Sequence, residues 1–396
     1  MIDIRRIFDW LVDGAPGATN AAQVVGRVSE ELAAAGIPLD RAAAYVCTLH
    51  PHIRGRSFLW RRGDEVQIIE APYEYFHSPE FLNSPVAAVF RTGQLLRRRL
   101  TDADSPHDFP ILDELAADGV TDYLVGPLRF LSGEVHAVTF ATRDPDGFTA
   151  DHIAAFTDLL RPLARIAEIL ALSRTAVNLL NTYVGRDAGE RIIAGKIHLG
   201  DTETIRAALW CSDLRGFTAL AGAVEPPTLI RTLNDLFECQ VSAIQRHGGE
   251  VLKFIGDGLL AIFPVHDASP TPPGLCAAAL DAAGDAFEAV RALNRVRITR
   301  GEPSLRLGLA LHFGDVSYGN IGGASRLDFT CIGPAVNLVS RLEGLTGRLG
   351  RPLVVSSAFA ELAQRPMTAL GTFELKGVAE PQAVFGPSEG QPLAAW

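Results

Sequence analysis

Gly249-Glu-Val-Leu-Lys-Phe-Ile-Gly-Asp-Gly258 reads as the rising arm and tip of a hairpin, with Leu259–Phe263 as the return arm. Glycines on both sides of Asp257 give the tight turn that two antiparallel arms need. Upstream, Arg206–Asp213 is an apolar strand that ends in an acid and runs into Leu214-Arg-Gly-Phe-Thr218. An Asp in an Asp-Gly turn is ordinarily turn chemistry, and an Asp after a strand is ordinarily a helix cap. Together, 44 residues apart, they mean more. In an antiparallel sheet the end of the first strand can lie beside the hairpin tip, which brings two carboxylates together. Two hard oxygen donors with room for phosphate oxygens form a Mg²⁺ site, and two such ions can stabilise an in-line displacement at phosphorus. The loop Leu214–Thr218 enters a helix whose free backbone N–H groups are donors for phosphate oxygens.

The pattern continues on both sides of the hairpin. Pro227–His247 is amphipathic, with Leu229, Leu233, Leu236, Phe237, Val241 and Ile244 on one side, and stops at Gly248-Gly249. Cys276–Val296 is a second helix, Leu305–Phe313 a long strand and Leu327–Ile332 another. Gly333-Pro334 opens a helix running to about Leu349, proline being well tolerated at the first helical position. On it Asn337 and Arg341 are four apart and share a face, while Val336, Val339 and Leu342 cover the opposite side. A solvated polar face is the ordinary reading of such a pair. A strand feeding the helix directly makes it a place for ligand groups. Leu353–Ser356 and Thr372–Leu375 are further short strands. The expectation is α+β, with helices on one mostly antiparallel sheet.

From about residue 20 to 165, short strands (Ala43–Leu49, Glu65–Glu70, Asp122–Leu131, Glu134–Ala141) alternate with helices (Ser84–Thr92, Ile111–Asp118). The turn Asp144-Pro-Asp-Gly147 then precedes a long helix, Asp151 to about Leu180, bent at Pro162, with Ile153, Phe156, Leu159, Leu160, Leu163, Ile166, Ile169 and Leu170 at helical spacing. That stripe suits packing on its own domain and pairing with a second copy equally well. Asn181–Gly200 is polar and glycine-punctuated, as a connector would be. The domains expected are 1–150; 151–200, helix and connector; and 201–396, the unit that carries the two aspartates.

Composition sets outer bounds. The 396 residues are 47% hydrophobic and 21% charged, with 36 basic against 46 acidic side chains and a net charge of −10. Such a chain has no general electrostatic reason to coat nucleic acid or an anionic membrane. No apolar run is long enough to span a bilayer. Five scattered cysteines, Cys47, Cys211, Cys239, Cys276 and Cys331, argue against a disulfide framework or a zinc cage. A soluble, cytoplasmic protein is expected.

Four segments resemble the class III nucleotidyl cyclases. Trp210–Thr218 is similar to their first metal motif and Gly249–Gly258 to the second. Thr330-Cys-Ile-Gly-Pro-Ala-Val-Asn-Leu-Val-Ser-Arg341 is similar to the motif contacting base, ribose and transition state, and Phe373-Glu-Leu-Lys-Gly377 to the strand whose lysine reaches the triphosphate. The resemblance spans roughly residues 200–385, and Thr182–Gly200 resembles the connector preceding such domains. It implies a ferredoxin-like catalytic domain. Asp213 and Asp257, with Leu214, would hold two Mg²⁺ or Mn²⁺ ions. Leu214, Gly216, Phe217 and Thr218 would lie along the phosphates. Lys253 and Thr330 would contact the purine, Asn337 the ribose, Arg341 the phosphorus and Lys376 the β- and γ-phosphates. Because metals and base contacts come from different cyclase domains in the family, one such domain per chain implies a homodimer.

Lys253 only donates, which suits adenine N1, and the Thr330 hydroxyl accepts from the 6-amino group, so ATP is expected over GTP. Asp328 is a second acceptor on the same strand face. The Lys–Thr pair resembles the subclass in which bicarbonate stimulation has been discussed. The competing readings are a guanylate cyclase, a degenerate cyclase serving as a scaffold, and a diguanylate cyclase, whose signature Val251 and Leu252 break. The N-terminal part resembles a GAF-type or PAS-like sensor for an unknown small-molecule effector. His50 and His52, near Arg54, Arg56 and Trp60, are pocket or haem candidates whose ordinary reading is surface histidine.

Overall fold

The computed structural model describes residues 2–102, 105–265, 271–323 and 325–388. Of the expected catalytic unit, 201–396, the last eight residues lie outside this range. The chain forms two compact units, Met1–Leu179 and Leu180–Trp396.

In the first unit, helices α1 (Arg5–Val12) and α2 (Ala21–Ala34) precede strands β1 (Arg41–Cys47), β2 (Ile53–Arg61) and β3 (Gln67–Pro72). After a 3₁₀ turn come α3 (Pro79–Leu82), α4 (Pro85–Thr92), β4 (Leu96–Arg99), α5 (Pro110–Ala117), β5 (Asp122–Arg129), β6 (Val135–Thr142) and α6 (Ala150–Val184). The strands form one antiparallel sheet in the order β3-β2-β1-β6-β5-β4. The caps are chemical. The Asn20 side chain accepts from Gln23 N, and Ser84 accepts from Ala87 N ahead of Pro85, while Gly93 closes α4 in the left-handed conformation. One core gathers α1, α2 and α6, with Phe156 stacked on Phe140 at 4.1 Å; a second gathers α4 and α5. The α6 stripe Phe156, Leu159, Leu163 and Ile166 is buried within this unit, whereas Ile169 and Leu172 are exposed. Pro162 is buried within a helix that continues through it to Val184.

In the second unit, α7 (Arg186–Ile193) leads to β7 (Thr202–Leu214), α8 (Phe217–Ala223), α9 (Pro226–Arg246), β8 (Glu250–Ile255), β9 (Gly258–Pro264), α10 (Pro272–Thr299) and β10 (Leu307–Gly323). Then follow β11 (Arg326–Ile332), α11 (Pro334–Leu349), β12 (Leu353–Ser356), α12 (Ser357–Leu362), β13 (Met367–Phe373) and β14 (Gln382–Pro387). The sheet runs β13-β14-β12-β10-β7-β9-β8, with β11 paired to β10. Its β7-α9-β8-β9-α10-β10 stretch, ordered β10-β7-β9-β8 and antiparallel throughout, is the ferredoxin-like pattern expected. On one face the buried Ala279, Ala282, Ala283 and Ala286 of α10 share a core with Leu236 and Ile244 of α9, Trp210 and Phe263. The opposite core holds α11 through Val339, Leu342 and Leu345.

Two elements differ from the sequence expectation. β10 runs ten residues past Phe313, because Gly319 and Gly322 (φ +152° and +151°) continue the strand instead of ending it. A Cβ at these positions would sit 2.1 Å from Asp201 O and 2.3 Å from Arg326 O, so only glycine admits the neighbouring strands. The polar connector contains a helix, α7, whose first turn is held by a distant acid: Glu250 accepts from Asp187 N at 2.9 Å. Burial pushes the Glu250 carboxyl up to about 7.

Gly258 is another close approach, since a Cβ there would lie 2.1 Å from Ser212 O. Gly258→Ala is expected to lower stability by about 1–3 kcal/mol through overpacking, read as a reduced urea midpoint with unchanged slope.

Candidate active site

The register explains why the two acids meet. On β7, Cys211 pairs with Leu260 and Ser212 with Leu259, so Asp213 falls beside the Gly256-Asp257-Gly258 turn. The carboxylates interact directly. Burial and hydrogen bonding with Asp257 push Asp213 up to about 6. The nearest cationic atom, Arg215 Nη1, is 3.9 Å from Asp213 Oδ2 and compensates only partly. Two adjacent carboxylates with so little positive charge beside them are a donor set that suits a divalent cation. Leu214 buries its side chain in the core, leaving its main chain as its only contribution to a ligand.

The loop beyond runs into a short helix. Gly216 takes φ +79°, and α8 has only seven residues, so its dipole is short. Phe217 packs against the core and Thr218 is exposed. The residue that stands out is Arg215, which the sequence reading passed over. Its Nη2 donates to Glu343 O at 2.9 Å and also contacts Glu343 Oε1 and the Thr346 hydroxyl, tying the loop after β7 to α11. Gly308 leaves room for the guanidinium; a Cβ there would be 2.4 Å from it. Glu343 is 8% exposed and Thr346 fully buried. Arg215→Met leaves the buried Glu343 carboxylate with only the Thr346 hydroxyl, 3.5 Å away, and is expected to cost roughly 3 kcal/mol, measured by urea unfolding.

Helix α11 starts at Pro334 and presents Asn337 and Arg341 to solvent. Among the described residues neither side chain makes a hydrogen bond or ion pair. An Arg fork left free on a helix whose opposite side is packed is available to an anionic ligand.

Lys253 on β8 and Thr330 on β11 face a common region. Lys253 Nζ lies 2.5 Å from Asp328 Oδ2, and Asp328 and Thr330 are two apart on β11. Thr330 is 5% exposed and its Oγ1 has no hydrogen-bond partner. A buried orphan hydroxyl beside a lysine–aspartate pair is a combination that a planar polar ligand satisfies. Lys376 lies in the turn after β13 rather than on the strand, with Leu375 buried before it and Gly377 (φ +78°) after. β13 and β8 end the sheet on opposite edges, so within one chain Lys376 is far along the strand order from Asp257. Around β8 and β11, Phe254, Ile255, Leu327 and Ile332 expose apolar surface.

Of the N-terminal candidates, His52 is exposed and His50 half-buried, its Nδ1 accepting from His52 N at 3.2 Å. No helix of the described residues is long and apolar enough to cross a membrane.

Residues 202–385 match the adenylate and guanylate cyclase catalytic domain family. The chain is 34% identical over 194 residues to an adenylate cyclase of Anabaena cylindrica, covering 49% of this chain and 37% of that protein. To adenylate cyclase 1 of Rhizobium meliloti it is 28% identical over 174 residues, covering 42% of this chain and 25% of that one. A solved structure of a bacterial light-regulated adenylyl cyclase superposes with a TM-score of 0.50 at 20% identity, over 69% of this chain and 87% of that chain, a likeness of fold alone. The chain thus spans between a quarter and two fifths of the length of the curated relatives it matches. Its second unit carries a class III adenylate/guanylate cyclase catalytic domain.

Proposed function

We propose that the protein is an adenylate cyclase that converts ATP to 3′,5′-cyclic AMP and pyrophosphate at sites shared by two copies of the chain. The observation that carries this reading is the juxtaposition of Asp213 and Asp257, with burial and the Asp257 neighbour pushing the Asp213 carboxyl up to about 6. They and the Leu214 main chain would hold two Mg²⁺ or Mn²⁺ ions. Bound there, the cations supply acidification of the ribose 3′-hydroxyl and charge neutralisation at the leaving pyrophosphate. The remaining work belongs to the chain's own side chains. Asn337 orients the ribose so that its 3′-oxygen is in line with the α-phosphorus. As the new oxygen–phosphorus bond forms and the bond to pyrophosphate breaks, the Arg341 fork meets charge developing on the transferring group. Lys376 takes the β- and γ-phosphates, and the Gly216–Thr218 loop lies along them.

Separation of Lys376 from Asp257 along the sheet, and the exposed apolar residues flanking Lys253, support a site completed by a second copy. Adenine is favoured because Lys253 donates to N1 while the orphan Thr330 hydroxyl accepts from the 6-amino group, with Asp328 beside it. Residues 1–150, read as a GAF-like sensor, regulate the catalytic unit through α6 in a cytoplasmic enzyme.

The test supplies purified protein with ATP or GTP and either metal. Cyclic AMP with at least tenfold higher kcat/KM than for GTP is expected. Thr330→Val should then lower that ratio about tenfold, the worth of one buried hydrogen bond. Equal use of GTP would sink the base assignment, and no product with either metal would favour the scaffold reading.

A further inference from the structure

The first unit holds a cavity of about 450 Å³ bounded by the end of β1, the start of β6, Phe90 of α4 and Glu168, Leu172 and Thr175 of α6. This volume falls in the range of small-molecule sites. Two buried polar atoms at its wall have no partner. His136 is 2% exposed, and its Nε2 makes no hydrogen bond; the nearest carboxylate oxygen, on the largely exposed Glu134, is 3.9 Å away. Its Nδ1 accepts from Cys47 N at 3.3 Å, so the neutral ring carries its proton on Nε2 as a donor. That tautomer offers no lone pair to a metal at Nε2. The second orphan is the Thr48 hydroxyl. At the rim Arg54 sits over the Phe76 ring at 4.8 Å and has no carboxylate partner among the described residues. The Glu168 carboxylate is already engaged, by Leu131 N, Ser132 N and Arg165, and so does not repel an anion as a free acid would. Phe130 lies 4.1 Å and Phe90 5.8 Å from the imidazole, giving aromatic walls.

We propose that this cavity binds a small aryl carboxylate, its carboxylate taking the His136 Nε2–H, the Thr48 hydroxyl and the Arg54 guanidinium, and its ring lying between Phe90, Phe130 and Leu172. Buried donors without acceptors are uncommon in folded proteins, and two at one cavity with a free cation define the complement an acceptor-bearing ligand must have. Because α6 forms one wall and continues into the second unit, occupancy bears directly on the helix that joins the two.

The experiment titrates the full chain by calorimetry with benzoate, phenylacetate and 3-phenylpropanoate, each beside its primary amide. At least one acid is expected to bind, at least tenfold more tightly than its amide. Arg54→Gln, at an exposed position that should not disturb folding, and Thr48→Val should each weaken it tenfold or more; His136→Phe should abolish it. Absence of binding by all three acids would overturn the proposal. So would equal binding of acids and amides, or binding indifferent to Arg54→Gln and Thr48→Val. None of these outcomes depends on catalysis, so the ligand site and the cyclase reading stand or fall separately.

Discussion

Asp257→Ala is expected to reduce cyclic-nucleotide formation by more than 100-fold with either Mg²⁺ or Mn²⁺, measured as product and pyrophosphate released at saturating ATP. Metal-borne charge stabilisation in such reactions amounts to several kcal/mol, and each 1.36 kcal/mol is a factor of ten. Asp213 and Asp257 are the two carboxylates that meet there, so losing one halves the anionic charge available to the cations. The companion effect on stability has the opposite sign. Asp213 titrates at about 6, above its ordinary 3.8, through burial and the facing Asp257. Its contribution to folding is therefore complete below about pH 4 and is withdrawn as pH rises through about 6. Asp257→Asn removes the like charge. In metal-free protein it should raise the melting temperature at pH 8 relative to wild type, and the gap should close at pH 4. A variant that is both inactive and more stable would mark the pair as retained for chemistry. If Asp257→Asn lowers the melting temperature at pH 8, the carboxylates instead support the fold.

Arg341→Ala is expected to lower kcat by 100-fold or more while leaving the KM for ATP within a few-fold. A donor that meets charge only in the transition state affects turnover and not ground-state binding. The fold has little stake in this side chain: it is exposed and makes no hydrogen bond or ion pair among the described residues, so the melting temperature should stay put. Unchanged turnover would remove Arg341 from the mechanism. The two inactive variants together also test the shared site. In an equimolar mixture about half of the dimers carry one chain of each kind, and each of these has one of its two sites free of both substitutions. Recovery of roughly a quarter of wild-type activity is expected, whereas sites contained within one chain would give none.

These effects trace back to features of different reach. The Gly-Asp-Gly tip, the acid ending an apolar strand, proline opening a helix and the four-residue spacing of Asn337 and Arg341 are local, and the sequence was enough to find them. Local chemistry also set the caps at Asn20 and Ser84 and the buried stripe of α6, because a helix presents every third or fourth residue to one side whatever it meets there. The full length of β10 was not legible: the strand read to Phe313 runs on to Gly323, where Gly319 and Gly322 admit the neighbouring backbone.

Partnership across the chain was decided by the tertiary structure alone. Arg215 reaches Glu343 across 128 residues, Lys253 meets Asp328 across 75, and Glu250 holds the first turn of α7 across 63. The unpaired Thr330 hydroxyl and His136 Nε2 became visible only once their surroundings were known. Residue type and spacing specify what a side chain can donate or accept. Which group lies opposite depends on sheet order and register, set by burying both helical layers at once, and no short stretch of sequence contains that.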